Sequence, residues 1–191
     1  MIVYDFDKTV FRKESSFLFY RYCVRKHPRL LKHLPRAAWF ALRAKLGRIT
    51  LTRFKEEFHR YLASLTDTEE LLRGFWDRYE SCIPAWLPPL LPQGGLVISA
   101  SPEFLVEGLC SRLGLEVMGT RMDIRTGRIT GLNCRGEEKP RRFRETYPDA
   151  RVEAFYSDSM ADAPMAALAE KAWIVRGDRL SPWPKNKSTD H

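Results

Sequence analysis

The sequence predicts an α/β fold, a parallel sheet with a block of helices inserted after its first strand. Short apolar, β-prone runs at Ile2-Val3-Tyr4, Leu96-Val97-Ile98 and Val152-Glu153-Ala154-Phe155-Tyr156 alternate with segments of helical periodicity. Between the first two runs, from about Phe11 to Ser81, the spacing is helical throughout, as in Phe17, Tyr20, Val24 and again in Leu51, Phe54, Phe58, Tyr61, Leu65. Three of the apolar runs end in groups able to do chemistry: Asp5 and Asp7, Ser99 and Ser101, and Asp158. Ligands of open parallel sheets gather at such carboxyl ends.

A chain of 191 residues with 44% hydrophobic and 29% charged residues is long enough for one core plus a small insert and too apolar for disorder. Its longest apolar runs, such as Ala37 to Leu42, fall far short of the ~20 residues that cross a bilayer. The opening Met1-Ile2-Val3-Tyr4-Asp5 lacks the basic and apolar regions of a secretory leader, so none is expected. Cys23, Cys82, Cys110 and Cys134 are far apart, with no C-x-x-C pair, which predicts neither a zinc site nor a disulfide framework and hence a reducing, cytoplasmic setting.

Taken in order, Ile2–Tyr4 reads as a buried strand with an acidic tip. Pro28, Pro35, Gly47 and Thr66-Asp67-Thr68-Glu69-Glu70, an N-cap with first-turn acids, divide the following block into roughly four helices. The Pro-rich stretch Ile83 to Pro92, ahead of Gly94-Gly95, ends it. Residues 1–10 and 85–191 are therefore expected to form the α/β core and 11–84 the helical unit. After Leu96–Ile98, the segment Ser99-Ala100-Ser101-Pro102-Glu103 offers a turn, an N-cap and a proline at the first position of a helix reaching about Leu113. Leu115 to Met118 predicts a strand, and Arg125-Thr126-Gly127-Arg128-Ile129 the turn between two short edge strands. A helix over Glu137 to Tyr147, a strand over Val152 to Tyr156 and a last helix over Met160 to Lys171 lead into Trp173-Ile174-Val175. From Ser181 onward a loosely ordered tail is expected.

The chemistry centres on Asp5-Phe6-Asp7, two carboxylates that an extended backbone aims to one side. Like charges that close need a cation or a proton between them. Asp158, also just past a strand, completes an oxygen-rich set suited to Mg2+, and Asp162, one helical turn on, can face the same space or orient a metal-bound water. Taken singly, each of these aspartates reads more readily as a turn or helix cap.

Taken together, Asp5-Phe6-Asp7-Lys8-Thr9-Val10, Val97-Ile98-Ser99-Ala100-Ser101, Lys139 within Gly136-Glu137-Glu138-Lys139, and Tyr156-Ser157-Asp158-Ser159-Met160-Ala161-Asp162 resemble, in order, the four motifs of the haloacid dehalogenase superfamily. Ser157 stands where many members have glycine. The resemblance spans residues 1 to about 176 and implies a Rossmann-like core with an all-helical cap, as in the phosphoserine-phosphatase-like branch. It also implies Asp5 as nucleophile, forming an aspartyl-phosphate, and Asp7 as acid/base. Ser99, the backbone N–H groups near Ala100 and Lys139 would hold the phosphoryl group. Mg2+ would be bound by the Asp5 side chain, the Asp7 carbonyl and the Asp158 side chain. Asp7 favours a phosphatase within the superfamily, because dehalogenases lack this second acid and transport ATPases carry threonine there. Glu14, nine residues after Asp5, matches the acid that meets the substrate amine in phosphoserine phosphatases; it reads equally as a solvated residue of the first cap helix.

The charge balance, 32 Lys+Arg against 24 Asp+Glu, is concentrated in the cap. Between Ser15 and Lys55 lie eleven basic residues and no acid, interleaved with Trp39, Phe40, Leu42 and Leu46. Such a stretch suits an anionic membrane surface, peripheral at the inner face, and with it a lipid-phosphate substrate, since some members of the branch are phosphatidylglycerophosphate phosphatases. The same pattern equally describes an apolar stripe packing the cap beneath solvated charges. No nucleic-acid partner is expected, because no nucleic-acid motif accompanies the basic residues. Hydrolysis of a phosphomonoester is the leading reading; transfer of the phosphoryl group to an alcohol and an idle anionic-surface binding module are the alternatives.

Overall fold

The computed structural model describes residues 1–184. Its centre is a six-stranded sheet of β1 (Ile2–Tyr4), β2 (Leu96–Pro102), β3 (Glu116–Thr120), β4 (Val152–Ser157), β5 (Ala169–Arg176) and β6 (Arg179–Pro182), in the order β3-β2-β1-β4-β5-β6. All neighbours are parallel except β5 and β6. The chain leaves β1 for β2 on one side and later returns to β4 on the other. The sheet therefore has its switch point at β1, where a crevice opens at the strand ends.

β1 is three residues long and wholly buried, and its alternation feeds two cores. Ile2 and Tyr4 pack on one face with Val97, Leu105, Tyr156 and Val175, while Val3 packs on the other with Leu96, Ile98, Phe143, Phe155 and Met165. The period of two dictates this split. Helix α5 (Glu103–Arg112) covers the first face; α6 (Glu138–Thr146) and the short α7 (Ala163–Ala166) cover the second.

The helices between β1 and β2 are α1 (Ser15–Lys26), α2 (Leu34–Lys45), α3 (Leu51–His59) and α4 (Thr68–Tyr79), joined by 3-10 turns at Pro28–His33 and Arg60–Ser64. Thr50 caps α3 by accepting from the Arg53 N–H at 3.1 Å. α4 starts after Asp67 without a side-chain cap, since the Asp67 carboxylate bonds His27 at 2.8 Å instead. These helices share the core of the first sheet face rather than building one of their own. Phe6, Phe11, Phe19, Phe75 and Trp76 are buried in one continuous cluster with Leu105 and Leu109, and the Trp76 indole donates to the Leu105 carbonyl at 2.8 Å.

Several expected boundaries move. The helix expected to run from Met160 to Lys171 stops at Ala166, and β5 begins at Ala169. Pairing of Ala169 with Val152 and of Lys171 with Ala154 satisfies the backbone of β4 and outweighs the helical preference of Ala, Glu and Lys. β2 continues through Ser99 and Ser101 to Pro102, which is the N-cap of α5 and not its first helical residue. The expected tail begins with strand β6, because Ser181 pairs with Ile174; residues 185–191 of that tail lie outside the described residues. The hairpin around Gly127 forms as a single antiparallel bridge, Met122 to Ile129, off the main sheet. It packs against the end of α3, where the Ile129 N–H donates to Glu56 Oε1 at 3.2 Å.

Candidate active site

The carboxyl ends of β1, β2 and β4 open on a cleft of about 500 Å3. Asp5, Asp7, Ser99, Ala100, Lys139, Asp158, Asp162 and Glu14, all singled out in the sequence, line it together. Adjacency of the three strands brings the first, second and fourth motifs side by side, and α6 delivers the third at its start.

Lys139 is the electrostatic hub. Its side chain is 1% exposed, and its ammonium donates to Asp5 Oδ1 and to Asp162 Oδ2, each at 2.7 Å. Asp162 also accepts from the Ser157 hydroxyl at 2.8 Å, which fixes it beneath the lysine. Burial works against the Lys139 charge, but the two carboxylates reverse that and hold its pKa above the ordinary lysine value. Burial pushes the Asp5 carboxyl up, to about 7, against the opposing pull of Lys139.

Asp7 is held at both oxygens. Oδ1 accepts the Ser15 N–H, the first of α1, at 2.7 Å, and Oδ2 accepts the Ser101 hydroxyl at 2.5 Å. It thus closes the N-terminus of α1 as a cap would, while facing the cleft. Burial raises its pKa, with the Ser101 and Ser15 bonds pulling the other way. The turn that follows is tight: the Phe11 N–H returns to the Phe6 carbonyl at 2.9 Å, and Lys8 adopts left-handed backbone at φ 57°.

Ser99 is buried and accepts the Ser101 N–H at 3.0 Å, which leaves its hydroxyl proton available to a ligand. Ala100 also lines the cleft. It lies in β2 ahead of α5, and its carbonyl accepts from Lys55 Nζ and Thr120 Oγ1, both at 2.7 Å. Asp158 is half-buried; its N–H donates to Thr9 Oγ1 at 3.1 Å, and its carboxylate accepts no hydrogen bond among the described residues. Glu14 sits at the rim, paired with Lys8 at 2.5 Å, both about half exposed.

Four further residues have roles in the site that the sequence did not assign to them. Ser101 holds Asp7, and Thr9 holds the Asp158 backbone. Arg135 lines the cleft beside the motif that carries Lys139. Lys55, counted in the sequence with the outward basic residues of the helical block, turns inward from α3 to donate to Ala100 and to Asn133 Oδ1 at 2.7 Å. Burial, reinforced by Arg135, pushes its pKa down to about 8. Its neighbours Phe54 and Phe58, at helical spacing on the same side, were the available signal that this stretch faces inward.

The model matching residues 2–167 is that of haloacid dehalogenase-like hydrolases, which covers most of the chain. The chain belongs to this family. Within the haloacid dehalogenase-like hydrolases, it is 29% identical over 198 residues to Protein CicA of Caulobacter vibrioides, covering 93% of this chain and 87% of that one. Its fold matches a Bordetella pertussis Tohama I protein described as of unknown function, with TM-score 0.74, 18% identity and coverage of 90% of this chain and 87% of the other. It also matches a phosphoserine phosphatase solved with substrate bound, with TM-score 0.60, 15% identity and coverage of 90% and 83%.

The residues fit a divalent cation of this family. Among the described residues no three His, Cys, Asp or Glu side chains gather into a metal cage. The candidate donors are instead two carboxylates, Asp5 and Asp158, which line the same cleft, a sparse oxygen set of the kind Mg2+ completes with waters and a substrate phosphate. The cleft lining carries five carboxyl groups beside four Lys and Arg, so a dication would add to the positive charge that attracts a phosphate. Among the described residues no helix is long and apolar enough to cross a membrane.

Proposed function

We propose that this hydrolase is a phosphatase that cleaves a phosphomonoester through an aspartyl-phosphate on Asp5. The observation that carries the reading is the Lys139 ammonium 2.7 Å from Asp5 Oδ1, with Asp7 and Ser99 facing the same cleft. Lys139 occupies one oxygen of Asp5 and leaves the other for in-line attack on phosphorus. As that O–P bond forms, the bond to the leaving oxygen breaks and Asp7 supplies the proton. Burial favours a proton on Asp7, while its bonds to Ser15 and Ser101 keep it in place. In the second step Asp7 takes a proton from water, the resulting hydroxide attacks the same phosphorus, and Asp5 is released. The Ser99 hydroxyl and Lys139 hold the phosphoryl oxygens in both steps. Mg2+ held by Asp5, the Asp7 carbonyl and Asp158 would supply charge neutralisation at the phosphoryl group.

The leaving-group side of the cleft is lined from the helical block by Phe17, Phe54 and Phe58, with Lys55 and Arg135 as its cations. Glu14, the residue that would meet a substrate amine, already has Lys8 as its partner. This lining favours an alcohol portion with apolar surface and a negative group over the small zwitterion of phosphoserine. Asp5→Asn is expected to abolish Mg2+-dependent hydrolysis of an aryl phosphate while leaving the fold intact; unchanged turnover would remove Asp5 as nucleophile. A phosphorylated lipid head group is expected to show a higher kcat/KM than phosphoserine, and the reverse ranking would overturn the substrate class.

A further inference from the structure

Helix α2 is built inside out. Its protein-facing side is mostly small: Ala37 is buried and Ala41 and Ala44 are half-buried, with Phe40 the one large residue on that side, half-buried beneath Arg36 and Arg53. On the opposite side Trp39, Leu42 and Leu46 are 57%, 49% and 56% exposed. Spacings of three and four residues put these large side chains in one stripe along the helix. A helix that serves only its own core directs its large apolar residues inward. The preceding 3-10 turn adds Leu31, 50% exposed.

The charges around the stripe divide into two groups. Arg36 and Arg53 pair with Glu57 on α3, at 2.6 and 2.7 Å. Arg29, Lys32, Arg43, Lys45 and Arg48 form no ion pair among the described residues, and the segment from Ser15 to Lys55 contains no acid that could supply one. Uncompensated cations therefore flank an exposed apolar ridge.

We propose that the outer face of α2 docks on an anionic phospholipid bilayer, with Trp39, Leu42 and Leu46 entering the interface and the unpaired cations meeting the head groups. Apolar burial and electrostatic attraction act on the same face, the combination that holds interfacial helices. A second copy of the chain is the less favourable occupant, because a two-fold contact through this face would bring two sets of unpaired cations together. A nucleic-acid backbone would meet the cations but leave Leu42 and Leu46 in water. α3, on which α2 packs, also lines the cleft, so docking holds the cleft close to lipid. The proposal rests on this face and is independent of the catalytic reading.

The test is co-sedimentation of the full chain with vesicles of phosphatidylcholine alone and of phosphatidylcholine mixed with phosphatidylglycerol, at physiological salt. Each basic residue near an anionic surface gains ~1 kcal/mol, about fivefold in partitioning, so binding to the mixed vesicles is expected to be at least about tenfold tighter. A blue shift of tryptophan emission should accompany it and should be lost in Trp39→Phe, which keeps most of the binding. The double variant Leu42→Glu, Leu46→Glu changes two exposed side chains; it is expected to hydrolyse a soluble aryl phosphate like the parent and to lose vesicle binding. Equal or absent binding to the two vesicle types, or binding that survives the double variant, overturns the proposal. So does a dimer of the parent that the double variant dissolves.

Discussion

Replacing Lys139 with methionine removes the charge at the centre of the site while keeping most of the side chain's length. The Lys139 ammonium lies 2.7 Å from Asp5 Oδ1 and 2.7 Å from Asp162 Oδ2, with side chains that are 1%, 11% and 5% exposed. Methionine is a flexible filler, so the packing loss is small. What remains is a pair of buried carboxylates without a counter-charge. Removing one partner of a buried ion pair costs about 3–5 kcal/mol, against ~0–1 kcal/mol for a surface pair. Unfolding in urea at about pH 7.5, with chelator present, should therefore show a loss in the upper range. Its pH dependence has a definite sign. Burial already raises Asp5 to about 7, and removing the ammonium that opposes this raises it further. A carboxyl whose pKa is higher folded than unfolded binds its proton more readily in the fold, so stability is gained as pH falls from the folded pKa toward the ordinary value near ~4. The deficit of Lys139→Met should shrink as pH falls from the variant's further-raised Asp5 pKa to about 7, below which Asp5 holds its proton in both proteins and the deficit levels off, and Mg2+ should reduce it above that pH by replacing the missing charge. A loss under ~1 kcal/mol above neutral pH, or one that does not shrink as pH is lowered to about 7, would refute the view of Lys139 as the counter-charge of Asp5 and Asp162.

Two further predictions concern the contact between the helical block and the core. Lys55 carries its charge below its lowered pKa of about 8. KM for a substrate with an anionic leaving-group side should rise as pH passes upward through that value, whereas Lys55→Met should show a raised, pH-independent KM with kcat little changed; a parallel pH profile in both proteins would remove Lys55 from substrate recognition. Gly127 has φ 72°, and a Cβ there would stand 2.5 Å from the His59 carbonyl oxygen of α3. Gly127→Ala should therefore destabilise by roughly 1–3 kcal/mol, seen as a lower Tm, and an unchanged Tm would mean that the hairpin does not bear on α3.

Much of the site was legible because its groups sit at strand ends, and strand ends can be read locally. Asp5, Ser99 and Asp158 each follow an apolar run, and parallel pairing of β1 with β2 and β4 then obliges them to meet. Lys139 was the weakest of the motif residues in the sequence, a lysine in a stretch crowded with Glu137, Glu138, Arg141 and Arg142. Its pairing with Asp5 across 134 residues exists only in the fold. Lys55 could not be told from its basic neighbours for the same reason. The missed strand start at Ala169 has a related origin: Ala-Leu-Ala-Glu-Lys favours a helix in isolation, and only the open edge of β4 makes it a strand.

By itself, the sequence determined the alternation of strands and helices, the insert after β1 and the order of the acidic, hydroxyl and lysine groups, because side-chain periods of two and 3.6 and the punctuation by proline and glycine act within a few residues. The tertiary structure decided which charges are buried and which meet water. It turned Lys55 and Lys139 inward, tied Asp7 to Ser101 and left Trp39, Leu42 and Leu46 outside. Burial and ion pairing depend on what distant segments bring to the same place, and nothing in a local stretch of chain encodes that.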